Sequence, residues 1–145
     1  MLLTIRELEA ADAEAVSRIE AASFSMPWSA GDFIEMTKAD YAHYYVAEAD
    51  GEIAGCCGIR NIAGEGEITN VVVAEKFRRK GIGRKLMEYM INEALSFGIG
   101  DCTLEVRVSN TPAICLYESL GFKSEGVRHG FYEKPREDAL IMWKR

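Results

Sequence analysis

Residues 71–87 read VVVAEKFRRKGIGRKLM, and this stretch decides the fold. The three valines predict a buried strand, and the apolar residues from Leu86 onward recur at helical spacing. Between them, Gly81 and Gly83 lie among six positive charges and no acid at positions 76–85. Glycines in a loop between a strand and a helix let the backbone approach an anion, which the N–H groups of the helix N-terminus bind. The stretch therefore predicts an anion site, although it lacks the pattern of a P-loop and the third glycine of a dinucleotide fingerprint.

The helix after this loop is predicted to end at Gly98, and residues 102–108 (CTLEVRV) predict another strand. The apolar face of the helix is assigned to Leu86, Met90, Ile91, Ala94 and Leu95. Two parallel strands joined through a helix form a right-handed crossover. The glycine loop then lies at the carboxyl edge of the sheet, where open α/β sheets bind ligands.

The remaining segments predict a first strand in LLTIRELE, a helix over 12–23, and a second helix that ends near 38. Ser29 and Asp32 form a capping box for this second helix, and Trp28 and Phe33 are at the positions of a hydrophobic staple. Three antiparallel strands follow, with a hairpin at Asp50-Gly51. Later, Asn110 or Thr111 caps a helix that Gly121 closes, and two strands are predicted over 122–128 and 138–143.

These elements predict an α/β fold: one mixed, mostly antiparallel sheet of about six to seven strands, with helices on both faces. The length of 145 residues favours a single domain over 1–145. Hydrophobic residues make up 48% and charged residues 28%, which excludes a disordered chain. No apolar run is long enough for a membrane span, and the amino terminus has no positively charged flank. We therefore expect a cytoplasmic protein without a membrane partner.

Charge is distributed unevenly along the chain. The whole chain has a net charge of −6, but outside positions 76–85 it carries 11 positive and 23 negative residues, a net of −12. Nucleic-acid binding needs a broad basic face, so this pattern disfavours a nucleic-acid partner and favours one compact anionic ligand.

Four cysteines, Cys56, Cys57, Cys102 and Cys115, have no C-x-x-C spacing. We interpret all four as reduced core residues, and in a strand the adjacent pair would point to opposite faces. His43 and His129 have no cysteine or histidine partner at ligand spacing, so no metal site is predicted.

The segment VVVAEKFRRKGIGRKLM resembles the pyrophosphate-binding segment of the GCN5-related N-acetyltransferases, a resemblance that extends over the element order of nearly the whole chain. It implies acetyl-coenzyme A (acetyl-CoA) as co-substrate, and a strand that splays from its neighbour and holds the pantetheine arm. By this resemblance the arm contacts Val71, Val72 and Val73. The phosphates are implied to contact Arg79, Lys80, Gly81, Ile82, Gly83 and Arg84. Arg78 is present where related sequences often have glutamine.

Four further segments resemble the branch of that family that acetylates the amino-terminal alanine of a ribosomal protein. These are PWS at 27–29, LEVRVSN at 104–110, LYESLGF at 116–122 and REDALIM at 136–142. The resemblance implies that Glu105 is the general base, Tyr117 the general acid and Asn110 a cofactor contact. The implied partner is the N-terminal peptide of a protein acceptor, and the oligomeric state is left open.

The chemistry of amine acetylation requires such groups. An α-amine has a pKa of about 8, so at neutral pH most of it must lose a proton before it attacks a thioester. If Leu104 and Val106 face one side of their strand, Glu105 faces the other and can reach a cleft. The alternatives are that Glu105 is an exposed carboxylate paired with a cation and that Tyr117 is a core residue. An acetyl-cysteine route through Cys115 is disfavoured, because no histidine pairs with it in the sequence.

The acceptor pocket is assigned to four aromatic residues, Phe24, Trp28, Phe131 and Tyr132, because PWS and the turn GFYEKPRED resemble acceptor-binding segments. Glu20, Asp32 and Glu35 are candidates to attract a positively charged peptide end, or are simply solvated helix faces. Two other functions remain open. One is acetylation of a small amine, polyamine or antibiotic, and the other is a non-catalytic acyl-CoA sensor or partner-binding module.

Overall fold

The computed structural model describes residues 1–145 as one seven-stranded sheet with four helices. The strands are β1 (Leu3–Glu7), β2 (Ala42–Ala49), β3 (Glu52–Ile62), β4 (Glu65–Val73), β5 (Cys102–Arg107), β6 (Lys123–Tyr132) and β7 (Glu137–Lys144). The helices are α1 (Ala13–Ser23), α2 (Ala30–Lys38), α3 (Ile82–Ser96) and α4 (Thr111–Ser119). Not one of these helices combines the length and the apolar character that crossing a bilayer requires.

The strand order is β1-β2-β3-β4-β5-β7-β6, and only β4 and β5 are parallel. This confirms the predicted mixed, mostly antiparallel sheet. The parallel pair is joined through α3, so the loop before α3 follows the carboxyl end of β4, as the crossover argument predicts.

β4 and β5 part soon after they meet. They pair only at Gly66–Cys102 and Glu67–Thr103, although β4 continues to Val73 and β5 to Arg107. A splayed strand pair was implied by the family resemblance, and the register confirms it. The splay leaves an opening in the middle of the sheet, between the last residues of both strands.

β3 is covered on both faces. Cys56 belongs to an apolar cluster with α1 and α2, whereas Cys57 belongs to a larger cluster with α3 and with Tyr117 of α4. The adjacent cysteines therefore point to opposite faces, as predicted, and helices cover both sides of the sheet. Residues 54–59 of β3 are all buried.

Local signals in the sequence correspond to the observed turns and caps. Asp50 and Gly51 have φ values of 52° and 83°, which fit the predicted hairpin turn. The hydroxyl of Ser29 accepts a hydrogen bond from the Asp32 N–H and the Asp32 carboxylate accepts one from the Ser29 N–H, so the capping box is present. The Trp28 and Phe33 rings lie 5.3 Å apart, as in a hydrophobic staple. Of the two candidate caps for α4, Asn110 is the one observed.

Three sequence predictions are wrong in detail. Leu95 is 66% exposed, because it lies nine residues after Leu86 and therefore on the opposite side of α3; Met87 is buried instead. Cys115 is exposed and is not a core residue, because the buried side of α4 carries Tyr117, which is two residues away. β6 also runs past Arg128 to Tyr132, so the predicted turn over 130–138 is shorter than expected.

Candidate active site

The opening between β4 and β5 leads into a cleft of about 780 Å³. A volume of this size is typical of small-molecule sites. The cleft brings together four of the site residues named from the sequence: Val71, Glu105, Asn110 and Tyr117. Residues 79–84 of the glycine loop are not among those that line it.

β4 presents backbone groups to the opening. The Ala74 N–H donates to the Ala54 carbonyl at 2.8 Å, so alternation directs the backbone groups of Val73 and Val71 away from β3 and toward the opening. The Val72 backbone points to β3, and its side chain is buried between the sheet and α1 and α2. The Val73 carbonyl accepts a hydrogen bond from Arg78 Nε at 3.0 Å. Of the three valines named from the sequence, Val71 and Val73 thus have backbone groups at the open edge and Val72 does not.

The glycine loop ends at the N-terminus of α3. Gly81 is the N-cap with φ of 77°, and no side chain caps this helix. The first helical bond runs from the Lys85 N–H to the Gly81 carbonyl at 3.1 Å, so the N–H groups of Ile82, Gly83 and Arg84 have no acceptor within the helix. A Cβ atom added at Gly81 would meet no atom within 4 Å, so the space over the loop is open. These features fit a phosphate group.

The positive charges around the loop divide into two sets. Lys76 pairs with Glu52, Arg78 binds the Val73 carbonyl and the Ser23 hydroxyl, and Arg84 donates to the Ser119 hydroxyl. The other three, Arg79, Lys80 and Lys85, are exposed and form no ion pair. This second set is available to an anionic ligand.

Glu105 is on β5, opposite Ile141 of β7. Leu104 and Val106 are buried, and Glu105 is partly exposed to the cleft, as the alternation predicts. Its carboxylate lies 3.2 Å from Arg128 Nε, and its side chain is 26% exposed. The carboxylate is therefore oriented by a cation and still reaches solvent.

Tyr117 is 7% exposed, and its ring packs at 6.1 Å from that of Phe122 in the larger apolar cluster. Its hydroxyl makes no hydrogen bond within the protein, and burial raises the pKa of this group. Tyr117 is thus both a core residue and part of the cleft wall. Asn110 also lines the cleft, where its side-chain oxygen accepts from the Ala113 N–H and its amide N–H groups stay free.

All four aromatic residues named for the acceptor pocket line the cleft. Phe24 and Phe131 are exposed at its rim, and the Arg107 guanidinium lies 4.5 Å above the ring of Tyr132. Burial raises the pKa of Tyr132 to about 12, and the negative charge of Glu105 acts in the same direction. The rim also contains the exposed Met26, which sequence reasoning missed.

The three acids near the first loop have different environments. Asp32 is part of the helix cap and Glu35 is exposed, but Glu20 is buried in the cleft and is only 4% exposed. Asn70 donates to Glu20 Oε1 at 3.2 Å. Sequence reasoning missed Asn70, although a polar residue next to three valines in a buried strand is a signal that could have identified it.

Comparison with known proteins identifies the family. Residues 13–122 match the Acetyltransferase (GNAT) family. The [ribosomal protein bS18]-alanine N-acetyltransferase of Escherichia coli strain K12 is 36% identical over 141 residues, which cover 96% of this chain and 95% of that protein. A Bacillus subtilis protein provisionally given the same name is 38% identical over 140 residues, covering 96% and 93%.

A solved structure agrees with both relatives. The crystal structure of the ribosomal-protein-S18-alanine N-acetyltransferase from Escherichia coli superimposes with a TM-score of 0.90 at 34% identity, covering 99% of this chain and 93% of that chain. The splayed strands and the open helix N-terminus are features that the family resemblance implied, and these matches point to the same family. The chain belongs to the GNAT family of acetyltransferases.

Proposed function

We propose that the protein transfers an acetyl group from acetyl-CoA to the α-amine of an N-terminal alanine, with a ribosomal protein of the bS18 type as acceptor. The observation that carries this proposal is the 36% identity to the Escherichia coli enzyme over 96% of the chain. Three of the four segments that resemble that branch also meet at one cleft, which contains Trp28, Glu105, Asn110 and Tyr117. A ribosomal acceptor implies that the reaction takes place in the cytoplasm.

The residues around the loop and β4 fit acetyl-CoA. Its phosphates would bind the loop of Arg79, Lys80, Gly81, Ile82, Gly83 and Arg84, where helix N–H groups are free and the space is open. Its pantetheine arm would extend along Val71, Val72 and Val73, with hydrogen bonds to the first and third, and would reach the amide of Asn110. When bound, acetyl-CoA supplies a thioester carbonyl that an amine can attack directly.

Glu105 accepts the proton of the attacking amine, directly or through one water molecule. A base is needed because an α-amine with a pKa of about 8 is mostly protonated at neutral pH. The ion pair with Arg128 holds the carboxylate in the cleft wall, and its partial exposure gives the proton a route to solvent.

Tyr117 donates its hydroxyl proton to the sulfur that leaves. Its raised pKa, which is due to burial, keeps the hydroxyl protonated at every working pH. Because the Tyr117 hydroxyl has no hydrogen-bond partner within the protein, it is available for a ligand in the cleft.

The test is mass spectrometry of synthetic peptides that differ in their first residue, incubated with acetyl-CoA. We expect the alanine peptide to react faster than an N-terminally blocked peptide with an internal lysine. An α-amine is easier to deprotonate than lysine by about 2.4 pKa units, or roughly 3 kcal/mol. Equal or faster acetylation of the internal lysine, or of spermidine or an aminoglycoside added in parallel, would overturn the assignment.

A further inference from the structure

Two acids, Glu20 and Glu105, line the cleft, and they differ in how they are paired. Glu105 has a cation within 3.2 Å, the guanidinium of Arg128. Glu20 is almost fully buried and forms no ion pair. Neither positive residue that lines the cleft compensates it, since Arg107 is committed to Glu137 at 3.1 Å and Lys134 forms no ion pair.

A chain of hydrogen bonds fixes the Glu20 carboxyl. Tyr44 binds Thr69 and donates to Asn70 Oδ1 at 3.3 Å. Because Asn70 Oδ1 accepts from Tyr44, its NH₂ group faces Glu20 and donates to Oε1. Oε1 is therefore occupied, whereas Oε2 is buried and accepts no hydrogen bond of normal geometry, although the Trp28 backbone N–H is close enough to lower the pKa of the carboxyl.

An orphaned carboxyl oxygen in a cleft calls for a ligand that donates hydrogen bonds. Leaving such an atom unpaired is unfavourable, and more so when the group is charged. Burial raises the pKa of Glu20 to about 7, against the opposing influence of Asn70 and the Trp28 backbone. A cationic donor would therefore be the best partner, because it satisfies the oxygen and compensates its charge.

The position of Glu20 in the cleft indicates which group supplies this cationic hydrogen-bond donor. Its partner Asn70 is adjacent to Val71, whose backbone faces the opening where the acyl donor is proposed to lie. Phe24 and Trp28 of the proposed acceptor pocket lie in the segment between α1 and α2 and line the same cleft as Glu20. An amino group bound at Oε2 would thus lie where the acceptor pocket meets the opening proposed for the acyl donor.

We infer that Glu20 Oε2 binds the α-amino group of the acceptor. This inference rests on the proposed function and adds a second carboxylate to it. Glu20 anchors the amine, and Glu105 takes the proton. An N–H of the amine can donate to Oε2 both before and after the proton is lost, so the nucleophile stays oriented through deprotonation.

The test compares two peptides in a binding measurement that needs no turnover. One begins with alanine, and the other has the same sequence with a propionyl group in place of alanine, which removes only the amine. Titration calorimetry on the enzyme saturated with coenzyme A should show that the wild type binds the amine peptide about 10-fold or more tightly, as expected for a charge-assisted hydrogen bond.

Glu20→Gln should reduce this preference to about 2-fold or less and leave the affinity for the propionyl peptide and for acetyl-CoA unchanged. Glu14→Gln, which changes an exposed acid on the same helix α1, is the matched control and should keep the full preference. A Glu20→Gln protein that retains the preference would overturn the inference.

The wild type alone also tests the inference, because equal affinity for the two peptides would overturn it without any variant. The two proposals can fail separately. If the wild type acetylates the alanine peptide while Glu20→Gln keeps the preference, only the role of Glu20 is wrong. If the wild type does not acetylate that peptide, the proposed function is wrong.

Discussion

At the scale of single residues, Glu105 has the sharpest test. Glu105→Gln keeps the shape of the side chain and removes the base, so we expect turnover at pH 7 to fall by about 10²-fold with acetyl-CoA affinity unchanged. The loss should shrink well above pH 8, where the amine is already neutral. Steady-state kinetics at pH 7 and pH 9 measure both effects.

The control is Glu118→Gln, an exposed acid on α4, which should leave turnover unchanged at both pH values. A loss for Glu105→Gln that is equally large at pH 9 would mean that the residue positions substrate or stabilises the sheet through Arg128 and is not a base.

Tyr117 has a second test at this scale. Tyr117→Phe keeps the buried ring and its contact with Phe122 and removes a hydroxyl that has no partner in the protein. We expect kcat to fall by about 10- to 10²-fold, because an acid helps the thiolate to leave, while the melting temperature stays the same. A thiol with a pKa of about 8.5 leaves tolerably without help, so this loss should not exceed that of Glu105→Gln.

Tyr45→Phe is the matched control, since Tyr45 is a buried tyrosine of the same cluster that does not line the cleft. Unchanged kcat together with a lower melting temperature for Tyr117→Phe would make Tyr117 a structural residue only.

At the scale of elements, the two ends of α3 provide a controlled comparison. Gly81 and Gly98 flank the helix with φ of 77° and 78°, and a Cβ at either one meets no atom within 4 Å. Valine at each position should cost a similar amount of stability, about 1–2 kcal/mol, from the left-handed backbone. Only Gly81→Val should also weaken acetyl-CoA binding, because only that end carries the open loop.

Calorimetric titration with acetyl-CoA and thermal unfolding of both variants measure this comparison. If folded Gly81→Val binds acetyl-CoA as tightly as Gly98→Val does, the glycine loop is not the phosphate site.

The elements also illustrate how far the sequence predicts the structure. Capping residues, turn glycines and the crossover rule predicted the order of strands and helices, because these signals depend on neighbouring residues. The point at which β4 and β5 separate depends on contacts between segments that are distant in the sequence. The splay was therefore expected from the family resemblance and not from the hydrophobic pattern of the two strands. For the same reason, the sequence left Glu20 as one of three equivalent acids, since its burial depends on Asn70, 50 residues away.

At the scale of the whole molecule, Glu20 should affect how stability depends on pH. Its folded pKa of about 7 exceeds the ordinary value of 4.5, so the folded state binds more protons between these pH values. The contribution of Glu20 to the free energy of unfolding is therefore fully present below pH 4.5. As the pH rises to 7 this contribution is lost, and the loss is at most about 3 kcal/mol.

Urea unfolding of the wild type and Glu20→Gln at pH 4.5, 6 and 7.5 measures this effect. The free energy of unfolding of the wild type relative to the variant should fall over this range, and the opposite trend of the Asp12–Arg6 pair cancels in the difference. A difference that does not change with pH would mean that the pKa of Glu20 is ordinary.

The double coverage of β3 has a consequence for which substitutions the chain can accept. A strand with a solvated face can change every second residue freely, but residues 54–59 of β3 have no such face. Even its glycines are constrained, since a Cβ at Gly55 would lie 2.7 Å from the Val72 carbonyl oxygen and one at Gly58 would overlap the ring of Tyr44. The exposed first half of β6, residues 123–127, is where this protein can be diversified, and β3 is where almost any change damages the cores on both faces of the sheet at once.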